Sequence, residues 1–380
     1  MAAPPPLNDD VTAEILLRLP PDEPEHLLRA ALVCKPWLSI ICDPGFRRRY
    51  REFHGAPPLL GLLHHLSMFE GQPIVRFAST TSMPEFPYPD SDATSTRPLD
   101  CRHGRVLLHL LHGDYDYLVW DPVTGDRHSL AGPEAMEWIV YSAAVLCATD
   151  GCDHLHCHGG HFRVVFVAMA TRDGKSMILA NVYSSETRVW SVAECHDKSV
   201  WGPHSASSYY MTFLKPTGRG ALVGDALYFT LGEKNSIVKY DLVKNCLSRM
   251  DPAESNESHI ALMAIDNNST LGFACILGSR LYIWSNRMDA GEGAEWVQCR
   301  VIELERTMVV ASSDKKLCVV GFAEGVDVIF VSSDVGLFRI NLNSGQVKKV
   351  DQPDEYFSVL PYMSFYLPDH GAFLSLVRTH

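Results

Sequence analysis

The chain has 380 residues, 46% of them hydrophobic and 21% charged, so it can fill a sizeable core and is too long for one compact helical unit. Its formal net charge of −12 excludes a general binder of nucleic acid or anionic membrane, which would need an excess of Lys and Arg. No run of about eighteen apolar residues suits a membrane-crossing helix. The segment Met1–Asp10 lacks the basic start and apolar run of an export signal, and the eleven scattered cysteines read as reduced thiols. The expected compartment is the cytosol or the nucleus.

From Asn8 onward, Val11, Ile15, Leu16 and Leu19 fall on one stripe of a short helix that Asn8 or Asp9 can cap and Pro20-Pro21 stops. A second helix is predicted from Pro24, with Leu27, Leu28, Ala30, Ala31, Val33 and Cys34 as its apolar set. Pro36 then breaks the chain and can sit in the first turn of a third helix carrying Trp37, Leu38, Ile40 and Ile41. Asp43-Pro44-Gly45 is a turn, and Phe46 to Phe53 reads as an Arg-rich helix whose basic run, Arg47 to Arg51, is expected to be a solvated face. Helices this short bury little surface alone and carry more apolar residues than one another's faces need. The surplus must pack either on the rest of the chain or on a partner.

The stretch Leu7-Asn-Asp-Asp-Val-Thr-Ala-Glu-Ile-Leu-Leu-Arg-Leu-Pro20, followed by Leu27-Leu-Arg-Ala-Ala-Leu-Val-Cys-Lys-Pro-Trp37, closely resembles the F-box. Glu14-Ile15-Leu16, Leu19-Pro20 and Val33-Cys34-Lys35-x-Trp37 stand where that family has them, and Asp43-Pro44-Gly45-Phe46 is usual in its plant members. Asn8 replaces a common proline, and Pro36 takes the variable slot before Trp37. The resemblance implies docking to a Skp-type adaptor, and through it to a cullin and a ubiquitin-conjugating enzyme. Carried over by position, the adaptor-binding residues are Leu7, Val11, Ile15, Leu16, Leu19, Pro20, Leu27, Val33, Cys34 and Trp37. Some of these must instead form the module's own core, and the sequence does not sort them.

After Gly55-Ala-Pro-Pro58 helical periodicity fades, and short runs rich in Val, Ile, Leu, Tyr and Phe alternate with Gly, Asp-Gly and Asn/Ser turns. A strand, tight turn and polar strand recur around Trp120, Tyr183, Tyr240, Trp284 and Phe338, about 40–60 residues apart, which is the scale of a propeller blade. The unit at Trp284 has a longer hairpin loop. Residues 59–80 and 356–368 can close the ring by sharing one blade. The expected fold is mixed and multi-domain: a small all-α module, then an all-β propeller with six blades favoured, seven possible, and a pair of β-sandwiches as the structural alternative. The expected division is a disordered 1–6, an F-box at 7–54 and a propeller-like substrate-recognition domain at 55–380. The order of these parts, and the closing phrase Pro361-Tyr-Met-Ser-Phe-Tyr366, are similar to the cereal-type plant F-box proteins with an associated propeller.

Cys147, Cys152, Asp153, His154, His156, Cys157, His158 and His161 could in principle hold zinc, but they match no regular Cys-x-x-Cys pair. The run is expected to be a polar loop using Cys and His incidentally, with no metal and no cofactor. No nucleophile elbow, phosphate loop or His-Glu-x-x-His is present, and no catalytic residue is assigned. Met83 to Pro98, rich in Pro, Asp, Ser and Thr, is expected to be a mobile excursion from the first blade. The reading that results is a non-catalytic substrate receptor of an SCF-type ubiquitin ligase, binding an unidentified target protein and neither nucleic acid nor membrane. The rival is an F-box and propeller module that binds a sugar or small metabolite outside any ligase. A propeller hydrolase or zinc enzyme would need clustered acids or bound metal.

Overall fold

The computed structural model describes residues 8–66, 74–82, 86, 89, 96–111, 115–133, 138–155, 157–172, 175–193, 218–231, 236–250, 260–266, 268–287, 295–304, 317–352, 354 and 356–367. Leu7, His156, the 1–6 segment and most of 83–98 lie outside the described residues. Among the described residues no helix is long and apolar enough to cross a membrane.

Four helices come first: α1 (Asp9–Leu16), α2 (Glu25–Val33), α3 (Lys35–Cys42) and α4 (Pro44–His54). Their ends follow local chemistry. The Asn8 side chain accepts the Asp10 amide at 3.3 Å, and Asp43 accepts the Phe46 amide at 2.9 Å, so orphan donors of α1 and α4 are satisfied. Pro36 and Pro44 occupy first turns, where a missing N–H does no harm.

Six antiparallel sheets follow, five of them four-stranded meanders. The first complete blade is β3 (Thr96–Arg102), β4 (Arg105–Leu110), β5 (Tyr117–Trp120) and β6 (Arg127–Leu130). The second is β7 (Trp138–Cys147), β8 (Phe162–Arg172), β9 (Lys175–Ser184) and β10 (Val189–Val192). Then come β11 (Ala221–Val223) to β14 (Cys246–Met250), with β12 (Ala226–Leu231) and β13 (Ser236–Asp241) between them. The fourth blade is β15 (Ala261–Ile265), β16 (Thr270–Leu277), β17 (Arg280–Arg287) and β18 (Glu295–Glu303). The fifth is β19 (Cys318–Ala323), β20 (Val328–Ser333), β21 (Gly336–Asn341) and β22 (Val347–Asp351).

The last sheet joins the two ends of the domain. β23 (Tyr356–Met363) pairs with β1 (Leu59–Leu66), and β1 pairs with β2 (Ile74–Ser79), with Leu63 opposite both Leu360 and Phe77. The ring is therefore a six-bladed propeller closed by a blade shared between the start and the end of the domain. Separate apolar clusters fill all six gaps between neighbouring blades. That continuous circuit distinguishes a propeller from a pair of sandwiches.

The aromatic repeat marks the third strand of each four-stranded blade. Trp120, Tyr183, Tyr240 and Phe338 are buried and Trp284 half-buried, each packing against the preceding blade. A second repeat lies just beyond it. Asp121, Ser184, Asp241 and Asn341 open the β-turn that follows, and their carbonyls accept or their side chains cap the amides ahead. Four residues on, Gly125, Arg188, Asn245 and Gly345 have positive φ. By this register Ile340, not Phe338, is the counterpart of Trp120; Phe338 stands two residues earlier, on the same face of its strand.

Inner strands approach closely at the axis. A Cβ on Gly321 of β19 would lie 2.2 Å from the Val359 carbonyl oxygen of β23, so only glycine fits there. The exposed outer edge of the fifth blade instead carries Lys348 and Lys349, which discourage pairing with another sheet.

The helices are not a freestanding bundle. Leu16, Leu17, Leu27, Ile41, Phe46 and Tyr50 share one core with Phe365 and Leu367, which follow β23, and with the half-buried Leu155 of the β7–β8 loop. This corrects the expectation of a solvated basic face on α4. Arg48 and Arg49 are exposed, but Arg51 is buried, and Arg47 donates to the Leu367 carbonyl at 3.2 Å. Tyr50 donates to the Leu19 carbonyl at 2.7 Å. Helix α4 is the seam between the helical and propeller parts.

Candidate functional site

Three places could carry function: the outer face of the helices, the axial channel of the propeller, and the β7–β8 loop. On the helices, burial sorts the predicted adaptor-binding residues. Leu16 and Leu27 are core. Leu19, Pro20, Cys34 and Trp37 are half-buried. Val11, Ile15 and Val33 face solvent at 47%, 48% and 63% exposure, and Leu32, absent from the predicted set, is 63% exposed. Leu32 lay hidden within an apolar run; only the packing of Ala30 and Ala31 inward shows that its own direction is outward.

The axial channel has a cavity at each end. One, of about 220 Å³, opens where the inner strands begin and is lined by Ile260, Leu262, Val319, Val320, Val359 and Leu360 among others. The other, of about 340 Å³, lies where they end, beneath the Gly55–Pro57 connector, and includes His103, His154, His158 and Ser364. Arg219 and Glu324 border both.

Between the cavities sits a buried ionic cluster that sequence reading missed, because its members are far apart in the chain. Asp100 accepts from Arg219 Nε at 2.9 Å, from the Cys101 amide at 2.9 Å and from the Val145 amide at 2.9 Å. Arg102 Nε lies 3.4 Å from the same carboxylate, while Arg102 reaches Glu324 at 3.0 Å and the Gly220 carbonyl at 2.7 Å. Arg219 reaches Glu324 at 3.2 Å. Two carboxylates and two guanidiniums with these hydrogen bonds are mutually satisfied, which is what lets charge survive burial. Such a cluster ties the inner strands of several blades together rather than presenting a nucleophile or a base.

Two histidines on second strands, His65 of β1 and His109 of β4, are held neutral. Burial, reinforced by Arg97, lowers His65 to about 3 and His109 to about 4, the latter with Tyr141 Oη at 2.6 Å from its Nδ1. Burial also pushes the Cys101 thiol up to about 12, leaving it inert.

The β7–β8 loop departs from the expectation of incidental residues. Cys147, at the end of β7, comes together with Cys152, His154 and Cys157, and their ligand atoms all lie within 4.8 Å of one another. His158 and His161 stand apart from that group. His158 pairs with Asp121 and lies 3.2 Å from Ser364 Oγ, and His161 is exposed. Asp153 accepts the Leu155 amide at 3.0 Å.

Helices with a solvent-facing apolar set are thus joined to a six-bladed ring. The family comparisons agree. The F-box domain matches residues 6–49, and the family described as "F-box protein AT5G49610-like, beta-propeller" matches residues 98–369. The chain belongs to this family of F-box proteins with a β-propeller. F-box domains generally bind Skp-type adaptors, and chains that join one to a propeller have the architecture of SCF substrate receptors, typically non-catalytic.

Among curated proteins none matches the sequence. Solved structures similar in chain path include an oligogalacturonate lyase in complex with manganese, 12% identical over 80% of this chain and 75% of that one, with a TM-score of 0.41. A six-bladed fucose-recognising lectin of Aleuria aurantia is 13% identical over 81% and 92%, with a TM-score of 0.42. A chain of a nidogen/laminin complex is 10% identical over 80% and 98%, also with a TM-score of 0.42.

Proposed function

We propose that the protein is a substrate receptor of an SCF-type ubiquitin ligase, in which the helical region, residues 7–54, docks a Skp-type adaptor and the propeller, residues 55–380, holds a target protein. The observation that carries this reading is the two-sided helical region. One side packs on Phe365, Leu367 and Leu155 of the same chain, while Val11, Ile15, Leu32 and Val33 remain exposed on α1 and α2. Short helices presenting aliphatic anchors suit a helix-in-groove partner. Catalysis in such a ligase is proximity: the receptor raises the effective concentration of a target lysine near the charged enzyme and needs no reactive residue of its own. The phrase Pro361–Tyr366 supports membership of the cereal-type plant subset, and the cytosol or nucleus is the corresponding compartment.

The helices cover the propeller face formed by the β3–β4 and β7–β8 turns, through Gly55–Pro57 and Leu155. The target is therefore assigned to the opposite face, where the chain passes between blades and where the β16–β17 and β20–β21 turns emerge.

The test is capture of a Skp-type adaptor by full-length protein. Because Leu16 is core, substitutions there would confound folding with binding; Ile15→Asp with Val33→Asp changes only exposed side chains. The double variant should melt like wild type and bind adaptor roughly 30-fold more weakly or worse. Undiminished binding by a folded double variant, or none by wild type, refutes the reading.

A further inference from the structure

We propose that Cys147, Cys152, His154 and Cys157 form a structural zinc site that fixes the β7–β8 loop against the helical region. The geometry is specific. Ligands arranged tetrahedrally at about 2.3 Å (sulfur) and about 2.05 Å (nitrogen) from zinc stand about 3.8 Å apart for two sulfurs and about 3.6 Å apart for sulfur and nitrogen. Here Cys152 Sγ lies 3.7 Å from Cys157 Sγ, and Cys157 Sγ lies 3.6 Å from His154 Nδ1. With Cys147 Sγ, all four ligand atoms fall within 4.8 Å of one another. The three cysteines are free thiols, so no disulfide accounts for their convergence.

The backbone is shaped to bring them together. Gly151 and His154 both adopt positive φ, 65° and 59°, which reverses the chain around Cys152 and turns a sequence without a regular Cys-x-x-Cys pair into a cluster. Surrounding contacts hold the ligands. His103 stacks on the His154 ring at 4.0 Å and 2° between planes, and its Nδ1 accepts the Cys147 amide at 3.3 Å. The buried Arg105 donates to the Cys157 carbonyl and, at 2.7 Å, to the Gly160 carbonyl. Support of this kind around ligating residues sets their orientation.

Three sulfur ligands and one imidazole favour zinc over calcium, magnesium or manganese. Four protein ligands also leave no position for a water, so the site is structural rather than catalytic. On binding, the three thiols would release their protons to solvent while His154 ligates in its neutral form. The consequence reaches beyond the loop. Leu155, between two ligands, sits in the helical core with Tyr50 and Phe365, and Asp153 faces the buried Arg51. Metal binding would thus set where the helices rest on the propeller.

Full-length protein purified without added metal should contain one zinc per chain by elemental analysis. Chelator-stripped wild type, titrated with cobalt, should develop tetrahedral ligand-field bands and a thiolate-to-cobalt charge-transfer band that saturate at one equivalent. Cys152→Ser and His154→Ala should each bind cobalt at least tenfold more weakly, while Cys299→Ser, an exposed cysteine outside the loop, should not. Stripping zinc should speed protease cleavage at Gly55–Pro58 several-fold. A wild-type cobalt spectrum lacking the charge-transfer band overturns the site, whatever the variants do. Stoichiometric zinc retained by Cys152→Ser with Cys157→Ser also overturns it, and an unchanged cleavage rate overturns the structural role.

Discussion

The Tyr50 ring of the last helix meets the Phe365 ring edge-on, with centroids 6.3 Å apart, where α4 rests on the segment that follows β23. Tyr50 is 1% exposed and Phe365 2% exposed, so the pair is a keystone of the helical core. Phe365→Ala should destabilise this seam by about 3–5 kcal/mol, the usual loss for deleting a buried phenyl ring. The helical part should then become protease-sensitive while the propeller stays folded, as read by limited proteolysis against circular dichroism. Equal resistance in variant and wild type would show that the seam does not depend on this contact.

Asp100 takes part in the axial ionic cluster through both its oxygens. Asp100→Asn keeps the volume but leaves Arg102 and Arg219 to share Glu324. The expected loss is about 3–5 kcal/mol, because removing one partner strands the buried charge of the other. Urea unfolding should show a lower midpoint with an unchanged slope.

Gly321 and Gly218 make a matched pair for steric crowding at the axis. Gly321→Ala drives a methyl into the Val359 main-chain oxygen, which cannot rotate away, and should cost about 1–3 kcal/mol or more. Among the described residues no atom lies within 4 Å of a Cβ on Gly218, and Gly218→Ala should change stability by less than about 0.5 kcal/mol. Thermal melts of the two variants side by side test the comparison.

Acid should destabilise the propeller through its buried histidines. His65 and His109 are lowered to about 3 and about 4 in the folded protein, whereas in the unfolded chain they titrate near about 6.5. The stability they contribute is complete above the unfolded value and is lost as pH falls below it, because the unfolded state then takes up protons that the folded state refuses. At pH 5 the loss at His65 should be about 2 kcal/mol. Unfolding free energies at pH 7 and pH 5 should therefore differ less in His65→Gln than in wild type.

Much of this was legible in the chain. Caps at Asn8 and Asp43 and first-turn prolines mark helices by purely local chemistry, and the aromatic of each third strand recurs because every blade must fill the gap to the one before it. The ring's closure was legible too, since the leftover strands at residues 59–80 and 356–368 had no other sheet to join. The repeat was misaligned at Phe338, where Ile340 replaces the aromatic and the Asn341 turn is the truer marker, and at Trp284, which pairs with Phe273 just as Phe338 pairs with Val331, two residues out of register.

What the sequence determined by itself is the set of local facts: where helices begin, which strand faces are apolar, and that a four-helix region precedes a repeating β domain. Only the tertiary structure decided which F-box apolar residues turn outward, because Leu16 and Ile15 are neighbours in sequence and differ only in what packs against them. It alone decided that Arg51 is buried at a seam, that Asp100 meets Arg219, and that Cys147, Cys152, His154 and Cys157 share one point in space. Those relationships depend on ring closure, which brings remote segments together at distances that no local spacing encodes.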